Sequence, residues 1–365
     1  MGILLLFVTA LCAADTWTTK PDTRLDAAFA FVKTTSKHGG LLVLRGDTIV
    51  YESYFGLGHP DATPNLASIG KSFTSAAMGI LLEERRDLFP KGLDTLVLTP
   101  KYFPYDVPDP AWRDIKLGHL LAMSSGLRGN SPGRVHGREV ALTPPGPDGA
   151  EAMRDAVVLR TGLWTKPGEG YSYATAGVHL ISMIIRHVTG AEMEPYLAAK
   201  IAQPLGWQRW GFAYRHANLG HTPGGGGIAA RAHDMLHFGA MLRDGGKWNG
   251  RQIVPAAYVR KLSRATPYNP HSPYSLQFDV NTDGHLAAVP RDAFWKSGSG
   301  GHALYIIPSL KLVIWKLGGR EEQYSQSNTG LPPSPAVYNG DRDGMQFPDP
   351  GTTRTLQLIV EALRR

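Results

Sequence analysis

The sequence predicts an α+β fold: an antiparallel sheet built from both chain ends and flanked by helices, with a large, mainly helical insertion between them. Three observations lead there. The two ends carry short β-rich runs separated by turn residues, and the middle carries apolar residues at helical spacing. The chain of 365 residues is 42% hydrophobic and 19% charged, which is enough apolar material for a sizeable core and excludes a disordered chain. Gly 42 and Pro 27 are spread without a fixed period, so collagen-like and repeat architectures are excluded as well.

Taken in order, residues 24–36 read as a helix whose apolar stripe is Leu25, Phe29, Phe31 and Val32. Leu41-Leu42-Val43-Leu44 and Thr48-Ile49-Val50-Tyr51 are joined by Arg45-Gly46-Asp47, so propensity and turn chemistry both predict a hairpin. The helical pattern then runs through 68–85, 115–123, 150–159, 176–188, 192–202 and 231–243. Strand character returns at 302–307 and 311–317, parted by Pro308-Ser309-Leu310, and a helix over 353–363 closes the chain. Ends that resemble each other and differ from the middle point to one interrupted layer. The expected division is one domain, 15–365, with an α/β part over about 24–67 and 270–365 and a helical part over about 68–269. Two Pro/Gly-rich loops, 129–149 and 326–350, are surface excursions and candidate site walls.

The leader MGILLLFVTALCAA has no charged side chain, an apolar run from Ile3 to Cys12 and small residues before Asp15. It reads as a signal peptide of residues 1–14, cleaved after Ala14, and predicts a periplasmic or secreted protein. The run is too short to remain as a spanning helix, which needs about 20 residues, so no stable membrane span is expected after its removal. Cys12 is the only cysteine, so the mature chain is expected to have neither disulfides nor thiol chemistry. Mean hydropathy is −0.18. The net charge of +7 is carried by single or paired basic residues such as Arg85-Arg86, with no tract that would track a phosphate backbone, so no nucleic-acid partner is expected.

Three stretches carry chemistry. Ser68-Ile69-Gly70-Lys71 opens a predicted helix, and residues three apart share a helix face. A serine hydroxyl becomes a nucleophile when a base takes its proton, and a lysine whose pKa is lowered by burial or another cation can be that base. Ser-x-x-Lys also occurs by chance. On the same residues Gly70-Lys71-Ser72 mimics the end of a P-loop, but the position of its first glycine is Asn65 and the run before it is no strand.

The second stretch, from Pro167 through Tyr173 to Thr175, is a turn-rich run leading into a helix. A tyrosine there is a general base if cations lower its pKa of about 10; the plain alternative is a tyrosine covering a core edge, with Thr175 as a helix cap. Gly170 to Ala174 nearly forms a nucleophile elbow, which would need a preceding strand that Pro167-Gly168-Glu169-Gly170 does not provide. The third stretch, Lys296-Ser297-Gly298-Ser299-Gly300-Gly301, stands directly before a strand, where glycines allow close approach and backbone N–H groups serve as oxyanion donors. Alone it reads as a glycine-rich hairpin entry.

The three come in one order, with Tyr173 lying 105 residues after Ser68 and Lys296 123 residues after Tyr173. In that order the sequence resembles the serine β-lactamase and penicillin-binding superfamily, in the branch with class C β-lactamases, D-alanyl-D-alanine peptidases, esterases and aminohexanoate-oligomer hydrolases. IKLGHLLAMSSGL and GGGGIAARAHDMLHFGAMLRDGGKWNG resemble further stretches of that family, so the likeness runs from about Leu41 to Leu317. It implies a β-lactamase/transpeptidase-like fold and a serine hydrolase, without a cofactor, acting on a small-molecule or peptide-like ester or amide. By the resemblance Ser68 is the acylated nucleophile, Lys71 its proton acceptor, Tyr173 a second base and Lys296 the cation that balances the tyrosine and attracts a substrate carboxylate. The N–H groups of Ser68 and Ser299 form the oxyanion hole, and Thr175, Ser297 and Gly298 line the substrate site. Two lysines around one phenol are expected to favour its ionised form. Thr175 stands where the family has asparagine, and Ser297 where it has threonine, which weakens the expected grip on a substrate amide. No Glu-x-x-Leu-Asn run supplies a separate deacylating carboxylate, leaving Tyr173 or Lys71 to activate water.

The alternatives are a β-lactamase or a slowly acylating penicillin-binding or cell-wall-binding protein. His233 and His237, four apart, mimic a zinc motif, but Asp234 stands where that motif needs glutamate, so no metal is expected. His221, His302, Trp164 and Trp295 are candidates for shaping the pocket, or are ordinary packing residues.

Overall fold

The computed structural model describes residues 17–212, 219–325 and 350–364. The leader with its expected cleavage site, and the loop over 326–349, lie outside the described residues. The centre of the fold is a seven-stranded sheet assembled from both ends of the chain: β1 (Thr18–Thr19), β2 (Gly39–Arg45), β3 (Thr48–Phe55), β4 (Asp279–Val280), β5 (Phe294–Gly298), β6 (His302–Ile307) and β7 (Leu312–Leu317). Their spatial order is β1-β3-β2-β7-β6-β5-β4, antiparallel throughout except for β1, which runs parallel to β3.

The register explains why the strands read as continuous apolar runs. Successive side chains of a strand point to opposite faces, and here both faces are covered. Leu41, Val43, Tyr305, Ile307 and Ile314 pack with Leu25, Ala28, Val32, Leu356, Ile359 and Val360, which come from the segment around α1 (Asp26–Thr35) and from the C-terminal helix, Pro350–Arg364. Leu42, Leu44, Leu304, Ile306, Val313 and Trp315 face the other way, into the larger core shared with the helical part. Each fully buried aliphatic side chain contributes roughly 1.5–3 kcal/mol relative to exposure.

The helical part contributes α2 (Gly70–Glu84), α3 (Thr175–Thr189) and α4 (Ala232–Arg243). Residues 70–81 of α2 are all buried, so it runs through the core, and α4 packs directly on β6 and β7. Gly190, with φ +73°, caps α3 in the left-handed conformation that glycine adopts without cost.

Several expected helices are shorter or broken. The 150–159 stretch is interrupted by extended Arg154, leaving Glu151–Met153 as a 3₁₀ turn and Asp155–Val158 as one helical turn. The 192–202 stretch divides into Met193–Leu197 and a π-helical turn, Ala198–Ala202, and only Leu117–Leu121 of 115–123 is helical. The helix Ala256–Leu262 and strands β1, β4 and β5 carried no readable signal. The third motif, expected as a hairpin entry, is itself a strand: Lys296 pairs with Leu304, Ser297 with Ala303 and Gly298 with His302.

At Gly298 close approach allows no side chain. A Cβ there would stand 2.3 Å from the Leu66 carbonyl oxygen and 3.1 Å from Ile69 Cγ1. The end of β5 is therefore pressed onto the turn that holds Ser68. Gly298→Ala is expected to destabilise the protein by about 1–3 kcal/mol, the usual cost of overpacking a closed core, and a chemical-denaturation midpoint equal to wild type would show that the contact gives way freely.

Candidate active site

Ser68 lies not in α2 itself but in a 3₁₀ turn, Ala67–Ile69, immediately before it. Ala67 has φ +48°, an uncommon conformation for a residue with a side chain and a form of local strain that tends to gather at functional sites. The turn is held from both sides. The Ala67 N–H donates to Asn65 Oδ1 at 2.9 Å, and its carbonyl accepts from the Gly227 N–H at 3.2 Å. Gly70, at the start of α2, packs so closely on the glycine run that a Cβ would lie 2.7 Å from Gly226 Cα.

One turn on, Lys71 Nζ donates to Ser68 Oγ at 2.9 Å and to the Gly225 carbonyl at 2.5 Å. Lys71 is 1% exposed. Burial, reinforced by repulsion from Lys296, holds its ammonium well below the ordinary lysine range. An amine whose neutral form is favoured, in contact with a hydroxyl, is equipped to accept that hydroxyl's proton.

Tyr173 arrives from the segment before α3. This segment is fixed by Ser172, whose Oγ accepts from the Gly129 N–H at 2.9 Å and whose N–H donates to the Met123 carbonyl at 2.9 Å. The Tyr173 phenol hydrogen-bonds Ser68, and the Lys71 and Lys296 ammonium nitrogens each lie 4.9 Å from its ring centre. Contrary to the expectation drawn from the two lysines, burial pushes this phenol up, so its resting form is protonated. Thr175 is the first residue of α3, and Ala174 takes the cap position that Thr175 was expected to fill. The Thr175 methyl faces Gly225, where a Cβ would come within 2.4 Å of it.

Lys296, 1% exposed, completes the cluster from β5. It donates to Tyr173 Oη at 3.1 Å and to Tyr274 Oη at 2.7 Å. Burial pushes its pKa down to about 8, with the charge of Asp279 acting in the opposite direction. Asp279, on neighbouring β4, is pushed up to about 6 by its own burial. Past Gly298, Gln323 Nε2 donates to the Ser299 carbonyl at 3.0 Å and to the Asn65 carbonyl at 2.7 Å, tying the β5–β6 turn to the segment before Ser68. Tyr274, Asp279 and Gln323 were not read from the sequence. They follow no motif: Tyr274 and Asp279 lie 22 and 17 residues before Lys296, and Gln323 lies 27 residues after it.

The structure thus brings Ser68, Lys71, Tyr173 and Lys296 into one continuous contact chain and sets Gly298 and Ser299 beside the Ser68 turn. Ser297, half-buried, follows Lys296 on β5. The other candidates hold packing or pairing roles. Trp295 points to the opposite face of the sheet, with α1 and the C-terminal helix. His221 pairs with Asp155 at 3.2 Å and contacts Tyr105 at 3.0 Å. His302 is fully buried, pushed down to about 3 by desolvation, and its Nδ1 accepts from the Gly318 N–H. Trp164 packs over Gly133 and Gly170. His233 contacts Glu52 at 3.1 Å, whereas His237 sits between the rings of Trp17 and Trp248. Among the described residues no group of three or more His, Cys, Asp or Glu could hold a metal ion, and no helix is long and apolar enough to cross a membrane.

A mainly antiparallel sheet with helices on both faces, and a serine turn opening a buried helix beside it, define a β-lactamase/transpeptidase-type hydrolase fold. Residues 30–322 match the family model described as Beta-lactamase, and the chain belongs to that family. It is 25% identical over 305 residues to a 6-aminohexanoate-dimer hydrolase of Paenarthrobacter ureafaciens, covering 76% of this chain and 71% of that protein. Among solved structures it resembles a β-lactamase/D-alanine carboxypeptidase from Yersinia pestis complexed with citrate, with a TM-score of 0.66, 16% identity and coverage of 93% of this chain and 98% of that one. It also resembles a family VIII carboxylesterase, with a TM-score of 0.59, 17% identity and coverage of 82% and 91%. The chain is therefore a member of a hydrolase family in this fold.

Proposed function

We propose that this protein is a serine hydrolase that cleaves an ester or amide through an acyl-enzyme on Ser68. The observation that carries the reading is the 2.9 Å contact between Ser68 Oγ and the buried, pKa-depressed Lys71 amine, with the Tyr173 phenol on the other side of the same hydroxyl. Ser68 Oγ attacks the substrate carbonyl carbon while its proton passes to Lys71. The carbonyl oxygen gathers negative charge against the N–H groups of Ser68 and Ser299. When the tetrahedral species collapses, the bond to the leaving oxygen or nitrogen breaks, and the protonated Tyr173 phenol supplies the leaving group's proton. Lys296, donating to the phenol oxygen at 3.1 Å, stabilises the phenolate so formed. In deacylation the phenolate takes a proton from water, the hydroxide attacks the acyl carbon, and Lys71 returns its proton to Ser68. In this reading Thr175 and Ser297 line the substrate site, and Gly298 lets the end of β5 close onto the Ser68 turn. The single hydroxyl of Thr175 grips a substrate amide less fully than an asparagine would, which favours esters and simple linear amides over β-lactams.

The relatives' names span dimer hydrolase, carboxylesterase and β-lactamase/carboxypeptidase, and the test is a side-by-side panel of a p-nitrophenyl ester, a linear aminohexanoate dimer and a chromogenic cephalosporin. Multiple turnovers on the ester or the linear amide, with the cephalosporin turned over at least about 100-fold more slowly, are expected, because a site lacking a hydrogen-bond partner forfeits discrimination of that order. Fast cephalosporin turnover would make the protein a β-lactamase. A stable adduct without turnover on any of the three would make it a penicillin-binding-type receptor.

A further inference from the structure

We propose that Tyr274 is a positioning residue for this site: by accepting from the Lys296 ammonium it fixes where that ammonium sits beside Tyr173. The inference rests on the serine-hydrolase reading above and adds to it a residue that no motif contains.

The argument is one of hydrogen-bond direction. Gln277 is fully buried, and its Nε2 donates to the carbonyls of Leu121 at 2.7 Å and Leu120 at 3.3 Å. Both amide protons are thereby engaged, and Oε1 is turned toward Tyr274. The Tyr274 hydroxyl donates its only proton to that oxygen, at 3.0 Å. A phenol that has spent its proton meets any further polar neighbour as an acceptor. That neighbour is Lys296 Nζ, at 2.7 Å, the shortest hydrogen bond the lysine makes. With one N–H held by Tyr274, a second points to Tyr173 Oη, so the Tyr173 oxygen is an acceptor from Lys296 while it stays in hydrogen-bond contact with Ser68. Donation thus runs outward from Lys296 on two sides, through Tyr274 and Gln277 to the Leu121 carbonyl and onto the Tyr173 oxygen beside the reacting centre.

Two further features mark this as a built arrangement. Gln277 holds φ +74°, a left-handed backbone in a residue with a long side chain, and such strain persists only where surrounding contacts over-determine it. Tyr274 is 1% exposed, and its ring meets those of Tyr173 and Tyr171 edge-on. The groups facing Lys296 are Tyr173 ahead of α3, Tyr274, Asp279 on β4 and the repelling Lys71 on α2, with Tyr171 behind Tyr274.

The test compares Tyr274→Phe with wild type in the p-nitrophenyl ester assay across pH. Loss of an acceptor destabilises the ammonium, so the alkaline limb of kcat/KM moves down by about one pH unit, the size of one hydrogen bond to a charged group. We expect kcat to fall about tenfold with KM changing less than twofold, because the contact acts on the proton chain and not on bound substrate. Gln277→Leu frees the phenol proton to rotate while keeping the ring, and moves the limb in the same direction by a smaller amount; it also serves if Tyr274→Phe does not fold. An unmoved alkaline limb in a folded variant, or a loss confined to KM, overturns the proposal. The acyl adduct on Ser68, read by intact mass, separates the two levels: an adduct that forms in Tyr274→Phe with an unshifted limb rejects the role of Tyr274 alone, whereas absence of any Ser68 adduct in wild type rejects the serine mechanism beneath it.

Discussion

Ser68→Ala lowers turnover of a p-nitrophenyl ester by about 10,000-fold or more, the scale seen when a nucleophile is removed from a set of groups that act together. Intact mass after brief incubation shows one acyl group added to wild type and none to the variant. The expected fold is unchanged, because the Ser68 hydroxyl is not a structural tie: the turn is held by Asn65 Oδ1 and the Gly227 N–H acting on Ala67. A variant that hydrolyses as fast as wild type and forms no adduct would reject the mechanism and reopen other chemistries.

Lys71→Met is the second large effect, and it separates chemistry from stability. Removing a general base costs roughly 100- to 10,000-fold in rate, here read as loss of the acylation burst. Stability is expected to move little. Methionine relieves the desolvation of a buried amine but leaves the Gly225 carbonyl without its 2.5 Å partner, and these changes oppose each other. The melting temperature should therefore stay within about 2 °C of wild type, the most that roughly 1 kcal/mol produces in a chain of this size. The pH profile of wild type carries the same assignment. In the proposed mechanism neutral Lys71 is the active base, so rate is expected to rise with pH as that amine loses its proton. In the same mechanism cationic Lys296 is the active form of its group, so rate is expected to fall as pH passes about 8. The result is a bell in kcat/KM. Asp279, losing its proton near pH 6, adds a carboxylate that supports the Lys296 charge on the rising side. An acid limb that survives in the residual activity of Lys71→Met would reassign that limb to Asp279.

How far the site was legible depended on how local its causes are. Ser68 and Lys71 are three residues apart, and a helical turn brings such residues together whatever surrounds them. Lys296-Ser297-Gly298 was visible as residues but not as a strand, because a lysine and glycines dilute the β pattern and only the ladder to β6 makes it one. The broken 150–159 stretch shows the reverse: its apolar spacing is helical, yet Arg154 is extended in the folded chain. The two histidines of α4 had the spacing of a metal motif, but packing sends His233 to Glu52 and His237 between two indoles.

The sequence by itself determined the family, the α+β architecture with a sheet drawn from both chain ends, and the order of the three motifs. The architecture follows from short-range periodicity, and the family from the resemblance that the three motifs carry in their order. Only the tertiary structure decided which groups surround Lys296 and in which protonation state the site rests. Tyr274, Gln277, Asp279 and Gln323 come from separate loops and strands that no local pattern links. Tyr173 was expected to ionise beside two lysines and instead keeps its proton, while Lys71 is driven toward its neutral form. Both outcomes have one cause: desolvation penalises whichever form is charged, and how completely water is excluded is set by the packing of β5, α2 and α3 together and not by any one of them.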